Sequence, residues 1–171
     1  RKEFKGIDYE IVILDDNSKD KTPEIIDKLS KKGDVLAIHR YEKKGYFSAY
    51  QDAIFMANGK YVITMDSDLS HPPKIAREFL NHKKDYDIIS GSRYMKGGGM
   101  VAPFFRKYGS DFLNKICAIV VGLNLTDIAG DFHLMRKDKF MELEFKYQPI
   151  FGDFDFELLY RAKKKGFKMA L

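Results

Sequence analysis

Two groups of carboxylates stand where apolar runs stop. Asp15-Asp16 follows Val12-Ile13-Leu14, and Asp66-Ser67-Asp68 follows the run from Tyr61 to Met65. Grouped carboxylates suit a hard divalent cation, which takes oxygen ligands and bridges phosphates. Such acids also serve as helix caps and turn formers. That both groups end apolar runs favours the chemical role. His71 follows Asp68 by three residues and precedes Pro72. It reads first as a residue of the helix start, with a metal ligand and a phosphate contact as the alternatives. His133 lies between Phe132 and Leu134, near Asp127 and Asp131, and is open between a site and the core. His39 and His82 have no partner recognisable in sequence.

A second cluster is cationic. No acid occurs between Asp87 and Asp111, while Arg93, Lys96, Arg106 and Lys107 do, together with Gly97-Gly98-Gly99. A glycine-rich stretch of one sign reads as an anion-binding loop. The whole chain leans the same way, with 30 Lys+Arg against 25 Asp+Glu and a net charge of +5. Nucleotides, phospholipids, phosphorylated substrates and nucleic acid all fit that balance, as does a plain solvated surface. No RNP-type or helix-turn-helix pattern supports nucleic acid.

Other chemistries are excluded. Cys117 is the single cysteine of 171 residues, which rules out a disulfide framework or a cysteine-built zinc site. It has no histidine partner in sequence, and no G-x-S-x-G elbow occurs. No Walker-type loop and no G-x-G-x-x-G follows a strand. The longest apolar stretch, Ile116 to Leu125, is about half of what a spanning helix needs.

The elements that must position these residues alternate. Strands are expected at Tyr9–Leu14, Val35–Ile38, Tyr61–Met65 and Asp87–Gly91. Helices are expected after Asp20 or Thr22 with an Ile25, Ile26, Leu29 stripe, at Ser48–Ala57, and from His71-Pro72-Pro73 to His82. Beyond the glycines, 104–121 reads as helix, Leu134–Arg136 as strand, Lys137–Phe145 as a short helix and Asp153–Lys165 as an amphipathic helix. Strand–helix alternation with continuously apolar strands predicts an α/β fold, a mainly parallel sheet with helices on both faces. Ligands of such sheets bind at the carboxyl ends of the strands. Residues 1–171 read as one domain, truncated at both ends, with a further strand beginning at Lys168. Phe151, Phe154 and Phe156 read as core or as an apolar mouth for a lipid.

Several strings together resemble one family. The run from Val12 to Thr22, V-I-L-D-D-N-S-K-D-K-T, is similar to the V-V-D-D-x-S-x-D-x-T string of inverting family 2 glycosyltransferases, which have the GT-A fold. Met65 to Pro73, M-D-S-D-L-S-H-P-P, resembles the M-D-A-D-L-S-H-x-P form of dolichyl- and polyprenyl-phosphate mannosyltransferases. Ser90-Gly91-Ser92-Arg93-Tyr94, Arg106-x-x-x-Ser110 and the run from Thr126 to Lys137 follow in the same order. The first string is shared by many sugar transferases; the others are more specific.

The resemblance implies metal-dependent, inverting transfer of a hexose to a polyprenyl or dolichyl phosphate, with GDP-mannose favoured as donor. Asp16, with Asp15 beside it, would contact the nucleotide, and Lys44 and Ser67 would join the nucleotide-sugar site. Asp66 and Asp68 would hold Mg2+ or Mn2+ against the donor diphosphate, with Ser70 where the family often has Gln. Arg93, Arg106 and Ser110 would hold the acceptor phosphate, and Asp127 would sit near the sugar. The protein would work at the cytoplasmic face of a membrane and bind no nucleic acid. The family's P-x-Y-N-E string and its phosphate-binding Arg beyond Leu171 are not matched. Its G-L-G-x-A turn is Gly45-Tyr46-Phe47-Ser48-Ala49 here, and His133 stands where Arg is usual. Alternatives are a non-catalytic nucleotide-sugar-binding domain, a family 2 transferase using UDP-glucose or another donor, and a nucleotidyltransferase, which lacks its usual glycine-rich phosphate loop here.

Overall fold

The computed structural model describes residues 1–42, 45–68, 70–92, 130–145 and 154–170. The expected helix at 104–121 lies outside them. The described elements run β1 (Ile11–Asp15), α1 (Thr22–Ser30), β2 (Val35–His39), α2 (Tyr46–Met56), β3 (Tyr61–Ile63), α3 (Pro73–His82), β4 (Ile88–Ser90), β5 (His133–Arg136), α4 (Lys137–Glu142), α5 (Phe154–Lys164) and β6 (Met169–Ala170). The strand–helix alternation is as the apolar runs predict. Helix boundaries shift by a residue or three, as terminal turns do.

The strands form two ladders. β1 and β2 pair in parallel, with Asp15 opposite His39. The other four run in the order β3-β5-β4-β6. β5 is antiparallel to both β3 and β4, and β4 is parallel to β6. β3, β4 and β6 therefore share one direction and β5 opposes them. The short strand at the chain's end is the one begun by Lys168.

Period-two alternation sorts the side chains of this sheet onto two faces. On one face Val62, Ile88, Met135 and Met169 pack with Ile54 of α2, Phe140 of α4, and Phe154, Leu158, Leu159 and Ala162 of α5. On the other, Tyr61, Ile63, Ile89 and Leu134 pack with Ala76 and Phe79 of α3 and with Phe132. Helices thus cover both faces. Phe154 is fully buried among aromatic rings, 5.1 Å from Tyr50 and 5.6 Å from Phe47. It belongs to the core and cannot line a lipid mouth. Phe156 packs partly against that core, and Phe151 lies outside the described residues. In α1 only Ile26 is buried, and Ile25 is 54% exposed, so the expected stripe narrows to one anchor. No helix of the described residues is long and apolar enough to cross a membrane.

Candidate active site

Both acidic groups emerge at carboxyl ends of strands. Asp15 closes β1 and is buried; its Oδ2 accepts the Ser18 N–H at 3.2 Å and lies 3.9 Å from His39 Nδ1. It thereby shapes the turn that presents Asp16. The Asp16 carboxylate is one-fifth exposed and faces Arg40 and the start of α2. Its Oδ2 accepts the Gly45 N–H at 2.9 Å, and its Oδ1 pairs with Arg40 Nη2.

Arg40 was not expected from the sequence, although it directly follows the apolar β2. Its side chain is 6% exposed and organises this corner. Nη1 donates to Ser48 Oγ at 2.8 Å and Asp52 Oδ2 at 3.2 Å, and Nη2 to the Gly45 carbonyl at 3.0 Å. One buried guanidinium thus ties β2 to the first turns of α2 and is neutralised by two acids. Gly45 has φ +88°, in the left-handed region that glycine enters without a Cβ clash. That turn starts α2 and aims the Gly45 N–H at Asp16.

One turn further, α2 reaches the second acidic group. Tyr50 Oη donates to Asp66 Oδ1 at 3.0 Å. The Asp66 N–H donates to His71 Nδ1 at 2.9 Å, and the His71 ring stacks on Phe132 with centroids 4.7 Å apart. His71 is therefore buried and supports the Asp66 turn from behind. Asp68 is exposed, and its Oδ1 accepts the Ser70 N–H at 2.9 Å. Hydrogen bonds from the Ser70 hydroxyl and N–H hold the Asp68 carboxyl below its ordinary range, so it is an anion at neutral pH. Ser67 and Ser70 are exposed beside it. Lys44, Arg93, Arg106, Ser110 and Asp127 lie outside the described residues.

Among the described residues no three His, Cys, Asp or Glu side chains gather into a metal cage. Asp66 and Asp68 offer two carboxylates just past the end of β3, with Asp68 exposed. That donor set fits a cation such as Mg2+, which takes one or two carboxylates and completes its shell with substrate phosphates and water.

Behind the site stands a polar cluster inside the sheet. His133 of β5 is opposite Ser90 of β4, its Nδ1 is 2.8 Å from Ser90 Oγ, and its N–H donates to Thr64 Oγ1 at 3.0 Å. Its Nε2 donates to Asp155 Oδ1 at 2.7 Å. Burial pushes the Asp155 carboxyl up, but the facing His133 charge and hydrogen bond, with the Asp131 N–H, outweigh that and hold it below the ordinary value. Of the two openings left for His133, the structure selects the core. His39 pairs with Asp27 at 2.9 Å and His82 lies 3.8 Å from Asp85, both partners that spacing alone concealed.

The arrangement of strands and helices superposes on known structures. TarS of S. aureus superposes with a TM-score of 0.59 at 18% identity, covering 95% of this chain and 48% of its own. Mannosyltransferase PcManGT from Pyrobaculum calidifontis, solved in complex with GDP-Man and Mn2+, superposes with a TM-score of 0.58 at 14% identity, covering 94% of this chain and 44% of its own. The architecture is the GT-A fold of glycosyltransferases. Residues 2–144 match Glycosyl transferase family 2, and the chain belongs to that family. It is 36% identical over 140 residues to the dolichol-phosphate mannosyltransferase of Pyrococcus furiosus, which covers 79% of this chain and 40% of that protein. It is 35% identical over 131 residues to the Saccharomyces cerevisiae enzyme of the same name, covering 75% and 49%. The chain therefore spans less than half the length of these relatives.

Proposed function

We propose that this chain carries the donor site of an inverting glycosyltransferase that moves a hexose, mannose from GDP-mannose, onto the phosphate of a polyprenol or dolichol at the cytoplasmic face of a membrane. The observation that carries the reading is the placement of Asp16 and Asp66 past two strand ends, the first hydrogen-bonded by Gly45 at the N-cap of α2 and the second by Tyr50 within α2. The similarity to two dolichol-phosphate mannosyltransferases supports the substrates. A basic chain of net charge +5 suits an anionic lipid surface.

In this reading Asp16, set by Arg40 and Gly45, accepts hydrogen bonds from the nucleoside, with Lys44 and Ser67 beside it. Asp66 and Asp68, with the Ser70 hydroxyl, would hold Mg2+ or Mn2+ against the donor diphosphate. When bound, the cation supplies Lewis-acid stabilisation of the negative charge that develops on the departing nucleoside diphosphate. Arg93, Arg106 and Ser110 neutralise and orient the acceptor phosphate, because two anions must meet. Asp127 lies near the sugar. The attacking oxygen is already an anion, so no strong general base is needed.

The test is a thermal melt of this chain with GDP-mannose or UDP-glucose, each with and without Mn2+. Ligands that bind only the folded state raise Tm. A rise that needs both Mn2+ and GDP-mannose supports the reading. A rise with UDP-glucose instead reassigns the donor. No rise with either removes the donor site from this chain.

A further inference from the structure

Asp66 is held by a chain of side chains that the transfer mechanism does not use. Tyr50 Oη donates to Asp66 Oδ1 at 3.0 Å. Tyr46 lies one turn earlier on α2, its ring centroid 4.7 Å from that of Tyr50. The Tyr46 hydroxyl stands beside both the Tyr50 hydroxyl and the Asp131 carboxylate. Asp131 is pinned in turn, since its N–H donates to the buried Asp155 carboxylate and its φ is +49°. Two phenols therefore stand between two carboxylates. One is at the end of β3, and the other is at the approach to β5.

A phenol hydroxyl is a single-proton donor, so it marks one oxygen of a carboxylate and leaves the other. At Asp66 the marked oxygen is Oδ1, while Oδ2 lies 3.9 Å from His71 Nε2. With the backbone N–H fixed on His71 Nδ1 and Oδ1 fixed by Tyr50, the carboxylate cannot rotate freely. Tyr50 is itself immobilised, with its ring packed 5.1 Å from that of Phe154 in the core.

We propose that Tyr50, braced by Tyr46 and Asp131, is the positioning residue that orients the Asp66 carboxylate and leaves Oδ2 as the oxygen presented to the divalent cation. The inference rests on the reading of Asp66 as a metal ligand. Partners that orient a metal-bound carboxylate are commonly worth about 10–100-fold in metal affinity. The chain also joins the cation site to the segment that leads into β5, because Asp131 is its far end.

The experiment is Mn2+ titration of this chain in the presence of GDP, followed by electron paramagnetic resonance of the free ion, on wild type, Tyr50→Phe, Tyr46→Phe and Asp66→Asn. Tyr50→Phe keeps the ring in the core and removes only the hydroxyl. It should weaken Mn2+ binding by about tenfold or more, and Tyr46→Phe should weaken it less, in the same direction. A second readout needs no metal. The Tyr50 hydroxyl proton should exchange slowly with water in the NMR spectrum of wild type and faster in Tyr46→Phe. If Asp66→Asn abolishes Mn2+ binding while Tyr50→Phe binds as wild type does, the positioning role fails and the metal reading stands. If wild type does not bind Mn2+, or Asp66→Asn binds it unchanged, the metal reading fails and takes this inference with it.

Discussion

His133 Nε2 lies 2.7 Å from Asp155 Oδ1, and the two side chains are 1% and 0% exposed. This buried pair joins β5 to α5, and through Ser90 Oγ it reaches β4. Asp155 also accepts the Asp131 N–H, so it holds the approach to β5 in its left-handed turn. Removing one member leaves the other's charge or polar atoms without a partner in a shielded place. His133→Ala should cost about 3–5 kcal/mol of stability, read as a lowered urea midpoint.

The same pair gives a pH dependence with a definite sign. The folded Asp155 carboxyl is held below its ordinary value. Its contribution is therefore complete above the unfolded value, about 3.9, and is lost as pH falls through the lower folded value. The stability gap between wild type and Asp155→Asn should narrow as pH falls below about 4. Denaturation curves across that window read it directly, and a gap that never narrows argues against an ionised Asp155.

Gly91 precedes the cationic stretch and its N–H donates to the Phe132 carbonyl at 2.7 Å. A Cβ built on Gly91 would sit 2.5 Å from Phe132 Cδ1. The Phe132 ring is held by His71 on one side and Phe79 on another, so it has little room to withdraw. Gly91→Ala should lower stability by about 1–3 kcal/mol through overpacking. An unchanged Tm would show that the ring moves aside freely.

Arg40 balances Asp16 and Asp52 from a buried position. Arg40→Ala removes the cation that both acids share and should cost about 3 kcal/mol or more. Arg40→Lys should recover only part of it, because an ammonium cannot reproduce the guanidinium fork across Ser48, Asp52 and the Gly45 carbonyl. Chemical denaturation of the two variants separates lost charge from lost geometry.

Asp68 sits at the opposite extreme. It is exposed and bonded only to the neighbouring Ser70 among the described residues. Asp68→Asn should leave stability close to that of wild type, as exposed substitutions away from packed features usually do. It should nevertheless erase any Mn2+-dependent rise in Tm with the donor. A variant that keeps the rise would remove Asp68 from the cation site.

Local patterning carried the alternation of strands and helices, the acidic groups at strand ends and the family likeness. These follow from short-range causes: β-branched runs favour strands, Pro and Gly stop or start elements, and an acid after an apolar run must emerge at an edge. The rest depended on partners distant along the chain. Nothing near His133 in sequence names Ser90 or Asp155, which stand 43 and 22 residues away. The antiparallel insertion of β5 between β3 and β4 put them in contact. Similarly, the i, i+4 spacing of Tyr46 and Tyr50 places both on one face of α2 but does not say what that face meets. Packing against the end of β3 and the approach to β5 supplied Asp66 and Asp131. Side-chain type and spacing set which chemistry is on offer, while strand order and register set which oxygen is free to perform it, because long-range pairing is decided by burial of whole faces and leaves no local mark.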